Sequence, residues 1–95
     1  MTENELRTNF QAIMRRDFND LRSRTDTFDR AASNSGDAFD LLVFDYQLLV
    51  GKMDAYSGLF ASDPFFEAMD ADMTSLEVDM MYLAADVFEI GAAAS

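Results

Sequence analysis

The sequence predicts an all-α fold: a small helical bundle of three to four helices, with a long N-terminal helix and a central buried helix. It reads as a single acidic domain over residues 1–95. Three observations carry this. Apolar residues recur at steps of three and four through most of the chain, the period of a helix face. Turn-forming residues cluster only near 33–37, 57–58 and 62–64. Finally, the most apolar stretch, Phe39 to Met53, is apolar on two faces of a helical wheel. A surface helix needs one apolar stripe, so a helix with two is expected to be covered from both sides.

The first helix is expected to open at Thr2, because Thr2-Glu3-Asn4-Glu5 fits a capping box. Leu6, Phe10, Ile13, Met14, Phe18, Leu21, Thr25, Phe28, Ala31 and Ala32 then form one stripe of about 30 residues, or about 45 Å. Its polar face can form i,i+4 pairs: Glu3–Arg7, Arg16–Asp20, Asp20–Arg24, Arg22–Asp26 and Asp26–Arg30. Asp17 falls inside the apolar stripe, either at its edge in contact with water, which is the expectation, or paired with a cation on a neighbouring helix. Ser33-Asn34-Ser35-Gly36-Asp37 breaks the helix, with Ser35 or Asp37 available as the next cap. A turn this short makes the first two helices an antiparallel hairpin.

The central helix is expected from Asp37 to Tyr56. Its broad face is Phe39, Leu42, Val43, Tyr46, Leu49, Val50 and Met53; its narrow face is Leu41, Phe44, Leu48 and Ala55. Polar seams separate them, with Asp40, Gln47 and Asp54 on one and Asp45 and Lys52 on the other. Leu59-Phe60-Ala61 is a connector tucked against the core. Asp63 as N-cap and Pro64 at the first helical position restart a helix, since proline's missing N–H costs nothing there. Thr74-Ser75-Leu76-Glu77 fits another capping box, which places a break near 72–74. The last seam is Leu76, Met80, Leu83, Val87 and Ile90, with Gly91 as its stop and 92–95 as a tail.

Composition narrows the function. The net charge is −11, and it is unevenly placed. Residues 1–30 hold six Arg and six acids, whereas residues 31–95 hold twelve acids and one Lys. Such a surface repels nucleic acid and membranes and attracts basic proteins. Absence of His removes the commonest general base and the Ser–His and Cys–His nucleophile systems. Absence of Cys removes thiolate sites and disulfides. Asp70-x-Asp72-x-Thr74 only begins like a calcium loop, with Ser75 in place of the glycine and Met81 in place of the final Glu. The expectation is therefore no enzyme, no cofactor and no metal. The polar start Met1-Thr2-Glu3-Asn4-Glu5 does not resemble a signal peptide, and Leu41–Val50 is too short to span a bilayer, so a cytoplasmic location is expected.

Two acidic stripes stand out. Asp63, Glu67 and Asp70 share one helical face; Asp79, Tyr82, Asp86 and Glu89 share another. Neighbours at such spacings stand about 5–6 Å apart, within what a basic groove built for a phosphate backbone can accept. These seven are the expected partner-binding residues. Met53, Met69, Met73, Met80 and Met81 fall on apolar faces, as core filling or as an adaptable partner groove.

In size, acidity and lack of catalytic motifs the chain resembles the small inhibitor proteins that bacteriophages encode, the DNA mimics and certain anti-CRISPR proteins. That resemblance implies a non-enzymatic inhibitor of a basic, nucleic-acid-handling protein or nucleoprotein complex, acting in the host cell cytoplasm. A second resemblance rests on Tyr82-Leu83-Ala84-Ala85-Asp86, which fits the Tyr-x-x-x-Asp/Glu secretion signal of WXG100-type helical hairpins. The chain has no Trp and so lacks that family's Trp-x-Gly turn. This second likeness implies a self-associating structural or secretion-type module, with a homodimer as its form.

Overall fold

The computed structural model describes residues 2–60 and 63–94, with side chains through residue 88. Three helices account for nearly all of it: α1 (Glu3–Asp26), α2 (Ser35–Leu59) and α3 (Pro64–Ala94). They are 24, 25 and 31 residues long, so the longest helix is the C-terminal one and not the first.

α1 opens as expected, with the Thr2 hydroxyl accepting the Glu5 N–H at 3.2 Å. It stops at Asp26, short of Ala31 and Ala32. Beyond it, the Asp29 carboxylate accepts the Ala31 N–H at 3.0 Å, a local bond that competes with the helical ladder. α2 begins at Ser35, with Asn34 in the cap position making no side-chain cap bond; neither Ser35 nor Asp37 has the expected role. It runs through Gly51 and Gly58, each costing only about 1 kcal/mol relative to alanine.

The break expected near 72–74 is absent, and α3 is continuous. The Thr74 hydroxyl donates to the Asp70 carbonyl at 2.9 Å, back into its own helix, so it cannot cap a new one. No Gly or Pro interrupts Phe65–Ile90, and the helix passes Gly91 to reach Ala94. The start is as read from sequence: Asp63 Oδ1 accepts the Phe65 N–H at 2.9 Å, with Pro64 as the first helical residue. Of the expected connector, Phe60 is buried and Leu59 exposed, while Ala61 and Ser62 lie outside the described residues.

The helices run up, down and up in a bundle 55 Å long and 20 by 18 Å across. Cross-helix ion pairs give the directions. Between α1 and α2 the numbers run in opposite senses, Asp17 to Lys52 and Arg24 to Asp45. Between α1 and α3 they run together, from Arg7–Asp63 to Arg30–Asp86.

The core is one cluster. α1 gives Met14, Phe18 and Leu21; α2 gives its broad face, including Leu42, Leu49 and Met53; α3 gives Met69, Met73, Leu76, Met80, Leu83 and Val87. Three methionines among the six α3 residues fill irregular gaps between the larger rings. The expected burial of α2 from both sides is not observed. Its narrow face is open, with Leu41 62%, Phe44 57% and Leu48 51% exposed. Both other helices pack on the broad face, and among the described residues there is no fourth helix to cover the back.

Candidate functional site

α1 carries five of the seven basic residues, Arg30 follows just beyond its end, and all seven lie within ion-pair distance of a carboxylate. Toward α3 they form a ladder: Arg7–Asp63 at 3.7 Å, Arg15–Asp72 at 2.8 Å, Arg22–Asp79 at 2.7 Å and Arg30–Asp86 at 2.6 Å. Steps of seven or eight along α1 meet steps of seven or nine along α3, which is what two parallel helices in register require. Toward α2, Arg24 reaches Asp45 at 2.7 Å and Lys52 pairs with Asp17. Asp17 is thus held by a cation on the neighbouring helix. Of the expected pairs within α1, Glu3–Arg7, Asp20–Arg24 and Arg22–Asp26 form, while Arg16 turns to Asp17 and Arg30 to α3. Between Asp26 and Asp79 the Arg22 guanidinium is held well above its ordinary range, and it holds the Asp26 carboxyl below its own.

Asp63 joins the three helices at one end. The fully buried Tyr56 donates its hydroxyl to Asp63 and accepts from Gln11 Nε2 at 2.8 Å. Phe10 and Phe65 meet the Tyr56 ring edge-on, with centroids 5.6 and 5.7 Å away, and Arg7 lies 5.1 Å over the Phe60 ring. The Tyr56 hydrogen bond, then the Phe65 amide, hold the Asp63 carboxyl below its ordinary value; burial, then Asp63 itself, push the Tyr56 phenol up.

The seven residues expected to bind a partner therefore separate. Asp63 is a cap and a clasp. Asp79 is paired with Arg22 of α1, and Asp86 with Arg30 just beyond the end of α1. Glu67 and Asp70 are exposed, and Tyr82 is 71% exposed on the outer face of α3. Glu89 lies within α3, with its side chain outside the described residues. Nine residues at about 100° each set Asp70 and Asp79 on opposite flanks of the helix. The two acidic stripes do not make one surface.

No protein-family model matches this sequence, and no curated protein or solved structure matches it either.

What the fold does assemble is a groove between α2 and α3. Val43, Tyr46, Val50, Met73 and Met80 form its floor, and Asp54, Asp70 and Glu77 form its rims. Met81 stands beside it, 66% exposed. The Tyr46 hydroxyl sits 3.5 Å from Glu77 Oε2. Burial, and then the Glu77 charge, raise the Tyr46 phenol above its ordinary value, so it stays a neutral donor. Among the described residues no cation lines this groove.

Asp54 and Glu77 were not among the seven expected residues. The signal for them was present: Asp54 lies on the polar seam with Asp40 and Gln47, and Glu77 lies seven residues after Asp70. Asp70 and Asp72, the start of the calcium-like pattern, point about 200° apart around α3, and Asp72 is committed to Arg15. Among the described residues no three carboxylates converge as metal ligands, and no helix is long and apolar enough to cross a membrane.

Proposed function

We propose that this chain is a non-enzymatic inhibitor that binds a basic, nucleic-acid-handling protein or nucleoprotein complex, in the manner of DNA-mimic and anti-CRISPR proteins in a host cytoplasm. One observation carries the proposal: every cation lies within ion-pair distance of a carboxylate away from the α2–α3 groove, whose described lining has carboxylates as its only charges. Concentrated like charge costs stability by self-repulsion, and binding a basic surface relieves it. In this role Glu67 and Asp70, joined by Asp54 and Glu77, make the charge contacts. The methionine and valine floor takes apolar side chains, as an acid-rimmed groove does with a basic amphipathic helix. Asp79 and Asp86 contribute only by exchanging Arg22 and Arg30 for partner cations.

The test is capture of the partner from host lysate at low and high salt, by the wild-type chain and by Asp70→Lys/Glu77→Lys. Expected is a nucleic-acid-handling protein, lost at high salt and lost with the double variant. Equal capture by the variant sinks the acidic-groove mechanism.

A second reading is a self-associating helical module of the WXG100-like kind. It is favoured by a different observation, the open apolar face of α2.

A further inference from the structure

We infer that the back of α2 is a two-fold interface, and that its occupant is α2 of a second copy of this chain, running antiparallel. The pattern on that face is a heptad seam: Leu41, Phe44, Leu48, Gly51, Ala55 and Gly58, at steps of three and four. Its large residues are exposed, and a Cβ built on Gly51 or Gly58 meets nothing within 4 Å. Large residues fill the N-terminal half of the seam and small ones the C-terminal half as far as Gly58, after which the exposed Leu59 falls on the same line of the helix as Leu41.

A closed dimer requires a surface that matches itself under a two-fold rotation. Antiparallel α2 helices crossing midway between Leu49 and Val50 place Leu48 opposite Gly51, Phe44 opposite Ala55, and Leu41 opposite Gly58. At these six positions each large side chain meets a small one, three times from each copy, and Leu59 closes the end of the contact beside Leu41 of the other copy. A parallel pairing stacks large on large at one end and leaves a void at the other, which close packing disfavours.

Charge agrees with the same register. A two-fold axis perpendicular to the helices brings like flanks together. Asp45 and Lys52 share one flank, seven residues apart. In this register Lys52 of one copy falls within two residues of the level of Asp45 in the other, about 3 Å along the axis. Within each copy Lys52 already holds Asp17 and Asp45 already holds Arg24, so the contact sets opposite charges beside one another without adding an ion pair. Asp40, Gln47 and Asp54 lie on the other flank, so both acidic grooves come to the same side of the dimer. The dimer does not depend on the groove's having a partner.

The test uses the full chain, which has no Cys of its own. Sedimentation should show a concentration-dependent dimer whose affinity barely changes with salt. Leu48→Arg should weaken it at least about tenfold, since a cation cannot be buried against the facing seam. Gly51→Leu should also weaken it about tenfold, by filling the slot for Leu48, while raising the melting temperature of the monomer. For register, Leu41→Cys and Gly58→Cys chains are mixed and oxidised. Disulfide-linked heterodimers are expected, and Leu41→Cys alone should not cross-link. Circular dichroism confirms that each variant is folded. A monomer at every concentration overturns the proposal, as does a dimer indifferent to Leu48→Arg or self-linking of Leu41→Cys. Asp70→Lys/Glu77→Lys lies on the other flank and should leave the dimer intact, which separates failure here from failure of the acidic-groove mechanism.

Discussion

The α1 seams and the α2–α3 face are built from the same kind of residue and do opposite things. Along α1, carboxylates meet arginines in register, and charge serves the fold. Across the α2–α3 groove, Asp54, Asp70 and Glu77 surround an apolar floor with no cation among the described residues. An acid count does not distinguish these regions. Asp70 and Asp79 sit in one helix nine residues apart, yet one is exposed on the α2 side and the other is held by Arg22. Where the cations go decides which acids are available to a partner.

The sharpest contrast lies across α2. Leu42 is 1% exposed, and its neighbour Leu41 is on the open face. Leu42→Ala should cost about 2–5 kcal/mol by transfer and cavity terms. Leu41→Ala should stay within about 0.5 kcal/mol for the monomer, as surface substitutions do. Urea unfolding of both variants checks the pair; equal losses would mean that the back of α2 is covered in the monomer.

Next is the Tyr56–Asp63 clasp. Tyr56→Phe keeps the ring and leaves Asp63 and Gln11 short of a partner, for an expected loss of about 1–3 kcal/mol. pH sharpens this. Asp63 is held below its ordinary value of 3.8, so its stabilisation is present above that value and is lost as pH falls through the lower folded value. The gap in melting temperature between wild type and Asp63→Asn should therefore be widest near neutral pH and close in acid. A gap independent of pH would show that only the shape of the side chain matters.

The smallest effects test the charge contrast itself. Arg22→Gln breaks a half-exposed seam pair and should destabilise by up to about 1 kcal/mol. Asp70→Lys relieves repulsion on the other face and should stabilise by about 0.5 kcal/mol or less, an effect that fades with salt. If both changes destabilise, the α2–α3 acids have internal partners after all.

Much of this was legible along the chain. Thr2 and the Asp63-Pro64 pair mark their helix starts because capping is decided within three residues. The broad face of α2 and the Leu76–Val87 seam follow from period alone. Thr74 misled for a similar reason: a Ser/Thr-x-x-Glu pattern is the same string whether its hydroxyl caps a new helix or bonds back to the preceding turn.

By itself, then, the sequence determined the helical class, the composition of the core and the imbalance of charge between its first thirty residues and the rest, because these depend on residue type and on spacing within one helix. Tertiary structure alone decided which of two apolar faces of α2 is buried, that Asp63, Asp79 and Asp86 are taken up by Tyr56 and by arginines of the first thirty residues, and that Asp54, Asp70 and Glu77 share a groove. The physical reason is common to all three. Each depends on which helix flank meets which, and an apolar stripe or a carboxylate has no partner until a second helix is laid beside it.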